Sequence, residues 1–144
     1  MKKFKIQVTT PERVIFEEEV EEIILPTASG EITVLAGHVP LIGEIIPGEM
    51  IVKNGKEEKI TLLLGGFVHV EEGGKVIVLA DGAEHLHEIS EKEAAEARKR
   101  AERLMMAAED DAEGFAKAEA ELARSLARLK LVRKHRSHKN IRID

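Results

Sequence analysis

The stretch His87-Glu88-Ile89-Ser90-Glu91-Lys92-Glu93-Ala94-Ala95-Glu96-Ala97 is where the chain changes period. Up to about His87 the apolar residues alternate or come in short runs broken by Gly, Pro and Asn. From Ser90 to about Lys134 they recur every three or four residues among Ala, Glu, Lys and Arg. A small β body therefore carries a helical arm. Ser90-Glu91-Lys92-Glu93 is a capping box: the Ser90 hydroxyl takes the amide of Glu93, and the Glu93 carboxylate returns to the amide of Ser90.

Downstream of that cap, Ala94, Ala97, Ala101, Leu104, Met105 and Ala108 form one stripe. Glu109-Asp110-Asp111 and Gly114 break it and place acidic residues at the start of a second helix, where the helix dipole favours them. Phe115, Ala118, Leu122, Leu126, Leu129 and Val132 carry the second stripe. Small Ala facing Leu permits close antiparallel packing, so the expected form is a helical hairpin. An Ala stripe buries little area, which makes the hairpin inexpensive to open. A movable arm is the expectation.

Upstream, Phe4, Ile6 and Val8 alternate with Lys5, Gln7 and Thr9, the mark of a half-buried strand that Pro11 ends. Further strands read at 14–16, 20–25, 32–35, 41–46, 50–52, 60–64, 67–70 and 76–80. Asn54-Gly55 is expected to make a type I′ hairpin. Short strands with frequent turn signals and no intervening helix predict an antiparallel sandwich or flattened barrel. The fold class is therefore α+β, an N-terminal antiparallel β-sandwich followed by a C-terminal two-helix antiparallel hairpin. Its parts are the sandwich at 1–87, the hairpin at 88–134 and a basic tail at 135–144.

Composition narrows the function. The 144 residues include 43% hydrophobic and 34% charged, which describes a folded, heavily charged soluble domain. With no Cys, a disulfide scaffold, a thiol nucleophile and a thiolate metal site are excluded. No stretch approaches the ~20 apolar residues of a membrane span, and the N-terminus lacks the apolar core of a secretory signal. The net charge of −5 is uneven: residues 1–87 carry 8 basic against 15 acidic groups, and 88–144 carry 14 against 12. The two ends face different partners.

No catalytic constellation is present. His38 lacks partner ligands or a carboxylate at fixed spacing, and His85 with His87, or His135 with His138, are at most incomplete metal pairs. Gly65-Gly66 is not followed by a lysine-bearing phosphate loop and reads as a kink in a strand. Arg124 and Arg128, one helical turn apart, project together and can grip a phosphate or a run of carboxylates, or else the arm's arginines belong to a solvated face stabilised by the neighbouring Glu119, Glu121 and Glu102. The tail from Arg133 to Arg142 is basic without interleaved aromatics, so nucleic acid is not an expected partner, and it reads as a frayed, solubilising end.

Taken in order, Ser29-Gly30-Glu31-Ile32-Thr33-Val34-Leu35-Ala36-Gly37-His38-Val39-Pro40-Leu41, Gly65-Gly66-Phe67-Val68-His69-Val70, Ala80-Asp81-Gly82-Ala83-Glu84 and the Ala/Arg/Glu hairpin resemble the epsilon subunits of bacterial F-type ATP synthases, from about Phe4 to Val132. The resemblance implies a β-sandwich with two helices that sits in the central stalk, binds the gamma subunit, rests on the ring of c subunits and has no active site of its own. It implies a peripheral place on the cytoplasmic face of the cell membrane. It assigns Ser29, Gly30, Glu31, Gly37, His38, Pro40 and Leu41 to the rotor contact. It gives the arm, with Arg98, Arg100, Arg103, Arg124 and Arg128, a role in blocking ATP hydrolysis at the alpha/beta catalytic head.

Some members of that family bind ATP on the folded hairpin through Ile-Asp-x-x-Arg-Ala. The matching residues here are Ile89-Ser90-Glu91-Lys92-Glu93-Ala94, so Ser90 replaces the Asp and Glu93 the Arg, while Arg100, Arg124 and Arg128 match. A carboxylate in place of a guanidinium repels phosphate, so weak or absent ATP binding and no cofactor are expected. Two competing readings are a stand-alone ATP-binding sensor built on the arm's arginines and a histidine-metal enzyme on a β-barrel.

Overall fold

The computed structural model describes residues 2–141, with side chains through Arg136. The chain divides into two compact units between His85 and Leu86. The first is all β, with β1 (Phe4–Thr9), β2 (Val14–Val20), β3 (Glu22–Thr27), β4 (Gly30–Leu35), β5 (Leu41–Ile45), β6 (Gly48–Asn54), β7 (Glu57–Leu63), β8 (Gly66–Val70), β9 (Val76–Ala80) and β10 (Ala83–His85). After a 3-10 turn at Leu86–Glu88, the second unit holds α1 (Glu91–Ala107) and α2 (Ala112–Ile141).

Strand order is β10-β7-β6-β3-β5-β8-β9-β1-β2, with β4 paired to β3 off that path. Alternation sets the core: Phe4, Ile6 and Val8 of β1 are buried together with Val68 and Val70 of β8 and Val76 and Val78 of β9, while Lys5 points out. The β2 end of the path folds back onto β6 and β7. The Glu21 amide donates to the Lys53 carbonyl at 3.0 Å, and Asn54 Nδ2 donates to the Glu19 carbonyl at 3.2 Å. Lys59 Nζ pairs with Glu18 at 3.2 Å and lies 4.6 Å from the centroid of the Phe16 ring. Together these contacts curl the sheet into a sandwich with a nearly closed side.

Several expectations need correction. Val20 ends β2 instead of opening β3, and Pro26 lies inside β3. The Pro26 carbonyl accepts from the Ile46 amide at 3.1 Å, so its ring nitrogen faces the junction where β3 leaves β6 for β5 and no ladder bond is required. One pairing is parallel, β1 with β9, which is possible without a crossover helix because the connection between them is seven other strands and their turns long. The Asn54-Gly55 signal is displaced by one residue: Asn54 pairs with Glu57 in the ladder and the loop is Gly55-Lys56. Gly55 has φ +66° and no non-glycine residue has positive φ among the described residues, which is the pattern of a type II′ turn, not I′.

In the arm, Ser90 caps α1 by accepting the Glu93 amide at 3.2 Å. Asp111 Oδ1 accepts from Gly114 at the start of α2. Ala94, Ala101, Ala118, Ser125, Leu129 and Leu131 are buried. Leu104 is 59% and Leu126 45% exposed, so both leave the expected stripes. On α2 the seam runs 115, 118, 122, 125, 129, 132, a strict three-four alternation that takes Ser125 in and turns Leu126 out. The helix also continues to Ile141, past the expected limit at 134. Arg133-Lys134-His135-Arg136 holds no Pro or Gly, and cations suit the C-terminal part of a helix. Residues 142–144 of the basic tail lie outside the described residues.

Candidate functional site

The residues expected at the rotor contact occupy two turns at opposite ends of β4. Ala28 and Ser29 form the tight β3–β4 turn and Gly30 opens β4, held by the Thr27–Gly30 pair and by the Ala28 amide donating to the Glu44 carbonyl at 2.9 Å. Glu31 is exposed on the second pair of that hairpin, opposite Pro26. At the far end Gly37 takes φ +83°, the left-handed conformation that lets the His38 amide turn back to the Leu35 carbonyl at 3.1 Å. His38 Nδ1 lies 2.7 Å from the Val39 carbonyl, which accepts a hydrogen bond from the ring. Pro40 is exposed and Leu41 opens β5. Six strand residues separate the two turns, about 17 Å at ~3.4 Å per residue. They are parts of a surface and not a pocket.

Beside them lies a feature that the alternation pattern hid. On β5, β8 and β9 the outward residues include Ile42 (75% exposed), Phe67 (55%) and Leu79 (52%). Phe67 pairs directly with Leu79, and Ile42 pairs with His69 on the same face. Ile77 of β9, opposite His69, extends the patch. Strand β9, Val-Ile-Val-Leu-Ala, is apolar at every position, the signature of a strand covered on both faces. That two-sided apolarity was the available signal, and here the outer face is open.

In the arm the arginines separate into two groups. Arg124 and Arg128 both reach Glu121, at 2.8 Å and 3.6 Å, so the projecting pair is gathered on one carboxylate. Arg98 pairs with Glu102 one turn on, at 3.3 Å. Arg100 and Arg103 stand exposed on α1 and make no ion pair among the described residues.

Among the described residues the histidines lie apart. His85 ends β10 while His87 sits in the following turn, 3.9 Å from Glu88, so the two do not share a strand face. The side chain of His138 lies outside the described residues. No group of three or more potential metal-ligating side chains occurs among the described residues. Among them, too, no helix is long and apolar enough to cross a membrane.

Residues 3–86 match the family model described as the beta-sandwich domain of the ATP synthase delta/epsilon chain. The chain is 40% identical over 143 residues to the ATP synthase epsilon chain of Dehalococcoides mccartyi, covering 98% of this chain and 100% of that one. It is 32% identical over 139 residues to that of Dichelobacter nodosus, covering 92% and 96%. Among solved structures it is similar to a chain in the cryo-EM structure of the Euglena gracilis mitochondrial ATP synthase OSCP/F1/c-ring, with a TM-score of 0.77, 27% identity and coverage of 87% of this chain and 78% of that one. The sandwich with its glycine-kinked β8, the helical arm and kinship over nearly the whole length lead to one assignment: the chain belongs to the ATP synthase epsilon chain family.

Proposed function

We propose that this chain is a non-catalytic subunit of the central stalk of an F-type ATP synthase, turning with the rotor and restraining ATP hydrolysis through its helical arm. The observation that carries the reading is the open apolar face of Ile42, Phe67 and Leu79 on a chain that aligns from end to end with an ATP synthase epsilon chain. A chain without a partner has no use for such a face. A shaft that must hold its foot through every rotation does.

In this reading the gamma subunit covers the β5-β8-β9 face, and the turns at Ser29-Gly30-Glu31 and Gly37-His38-Pro40-Leu41 complete the contact with gamma and the c ring. The complex then sits on the cytoplasmic face of the membrane, with this chain as a peripheral component. The exposed Arg100 and Arg103, with Arg98, Arg124 and Arg128, supply the charge by which an opened arm meets the alpha/beta head.

Tight ATP binding is not part of the proposal. Ser90 is committed as a helix cap, Glu93 adds negative charge beside it, and Arg124 and Arg128 are drawn to Glu121. Calorimetric titration with ATP separates this from the stand-alone sensor, which requires a micromolar dissociation constant. The decisive experiment mixes the chain with gamma and the c ring, then compares ATPase activity of the assembled complex with and without residues 88–144. Co-purification and a rise in hydrolysis on truncation are expected. Failure to associate ends the proposal.

A further inference from the structure

The contact that closes the open end of the hairpin is ionic. Glu91, the first residue of α1, receives a separate guanidinium on each carboxylate oxygen. Arg133 Nε donates to Oε1 at 3.3 Å and Arg136 Nη1 to Oε2 at 2.6 Å. The partners are 42 and 45 residues away in sequence, and Arg133 and Arg136, three apart on α2, face the same side. We infer that Glu91 with Arg133 and Arg136 is a latch that sets how often the arm opens.

Three features support this. The latch is at the end farthest from the turn that joins the helices, where fraying begins. The seam behind it is thin, since α1 contributes only Ala94 and Ala101 as buried residues. Charge placement is favourable twice over, a carboxylate at a helix N-terminus and cations late in a helix. Because the arginines are more than half exposed, the latch is screened by salt, and its release needs no small molecule. The functional consequence rests on the reading of the arm as a movable regulator; the latch itself does not.

The test is amide hydrogen exchange on the full chain, with Glu93→Gln as control, since Glu93 shares the first turn of α1 but makes no ion pair among the described residues. Glu91→Gln is expected to speed exchange of residues 126–136 about fivefold to tenfold, with Glu93→Gln below about twofold and the sandwich unchanged. Adding Arg133→Gln and Arg136→Gln to Glu91→Gln is expected to do little more, because the three act as one contact. Raising salt from ~0.05 to ~0.5 M is expected to speed exchange in the parent chain and not in Glu91→Gln. Equal effects of the two Gln variants, or additive effects of the arginine changes, would overturn the latch. If the latch passes and truncating the arm leaves ATPase activity of the complex unchanged, it is the regulatory reading that fails.

Discussion

Gly66 lies so close to the carbonyl oxygen of Leu79 that no side chain fits between them. A Cβ there would also stand 2.9 Å from the Ala80 Cα, and the residue holds φ +130°. Strand β8 is thereby pressed against β9, which aligns Phe67 with Leu79 on the outer face. Gly66, the glycine immediately before Phe67, is thus a packing requirement. Gly66→Ala combines a disfavoured backbone with a backbone clash and is expected to cost on the order of 3 kcal/mol. Gly55→Ala, at φ +66° in open space, is expected to cost about 1 kcal/mol. Urea denaturation of the two variants checks the difference, and equal midpoints would refute it.

Lys5 Nζ stands 3.0 Å from Glu17 Oε1 across the β1–β2 pair. This hydrogen bond and then the charge of Lys5 hold the Glu17 carboxyl below its ordinary value against a weaker opposing effect of burial, with the charge of Lys75 adding least. With the folded value depressed, the contribution to stability is present above the ordinary carboxylate pKa and is lost as pH falls through the lowered one. Lys5→Met is therefore expected to raise the Glu17 midpoint toward that of a free glutamate in an NMR titration. Stability near neutral pH should move little, because the pair is exposed. An unmoved midpoint would show that Lys5 is not the cause.

The parts of this fold that were legible in the chain are those that one periodicity decides. Phe4, Ile6 and Val8 alternate because one face of β1 is core, and Ser90 announces a helix because its hydroxyl has an amide to hold. What eluded the sequence depends on long-range partners. Nothing local to Pro26 reveals that β3 changes neighbours at that residue, and nothing near Asn54 reveals Glu19, 35 residues away, which draws it into the strand. The choice between Ser125 and Leu126 went to the more hydrophobic residue, although helix geometry favours the smaller one. For the candidate site, the two turns around β4 were readable as motifs. The Phe67–Leu79 face was not, since an apolar strand residue is by default assigned to a core.

Ser125 is fully buried in the arm and its hydroxyl has no hydrogen-bond partner among the described residues. An unsatisfied buried hydroxyl costs more than the methyl that would replace it, and Ala is the better helix former. Ser125→Ala is expected to stabilise the hairpin by about 1 kcal/mol. That corresponds to roughly fivefold slower amide exchange in α2, independent of the ionic latch at its far end. Faster exchange in the variant would mean that the hydroxyl makes a bond on which the packing depends.

The apolar face makes the sharpest demand on the proposed function. Ile42, Phe67 and Leu79 contribute little to the sandwich core because they point away from it, so replacing them with Ser should leave the thermal midpoint nearly unchanged. If gamma covers that face, each loses on the order of 1 kcal/mol of burial at ~25 cal/mol per Å². The triple variant should then bind roughly 100-fold more weakly, as measured by biolayer interferometry against gamma. Val14, 50% exposed on β2 and outside the patch, supplies the control, and Val14→Ser should bind as the parent chain does. Undiminished binding by the triple variant would move the gamma contact off this face and leave the two turns at the ends of β4 as its remaining site.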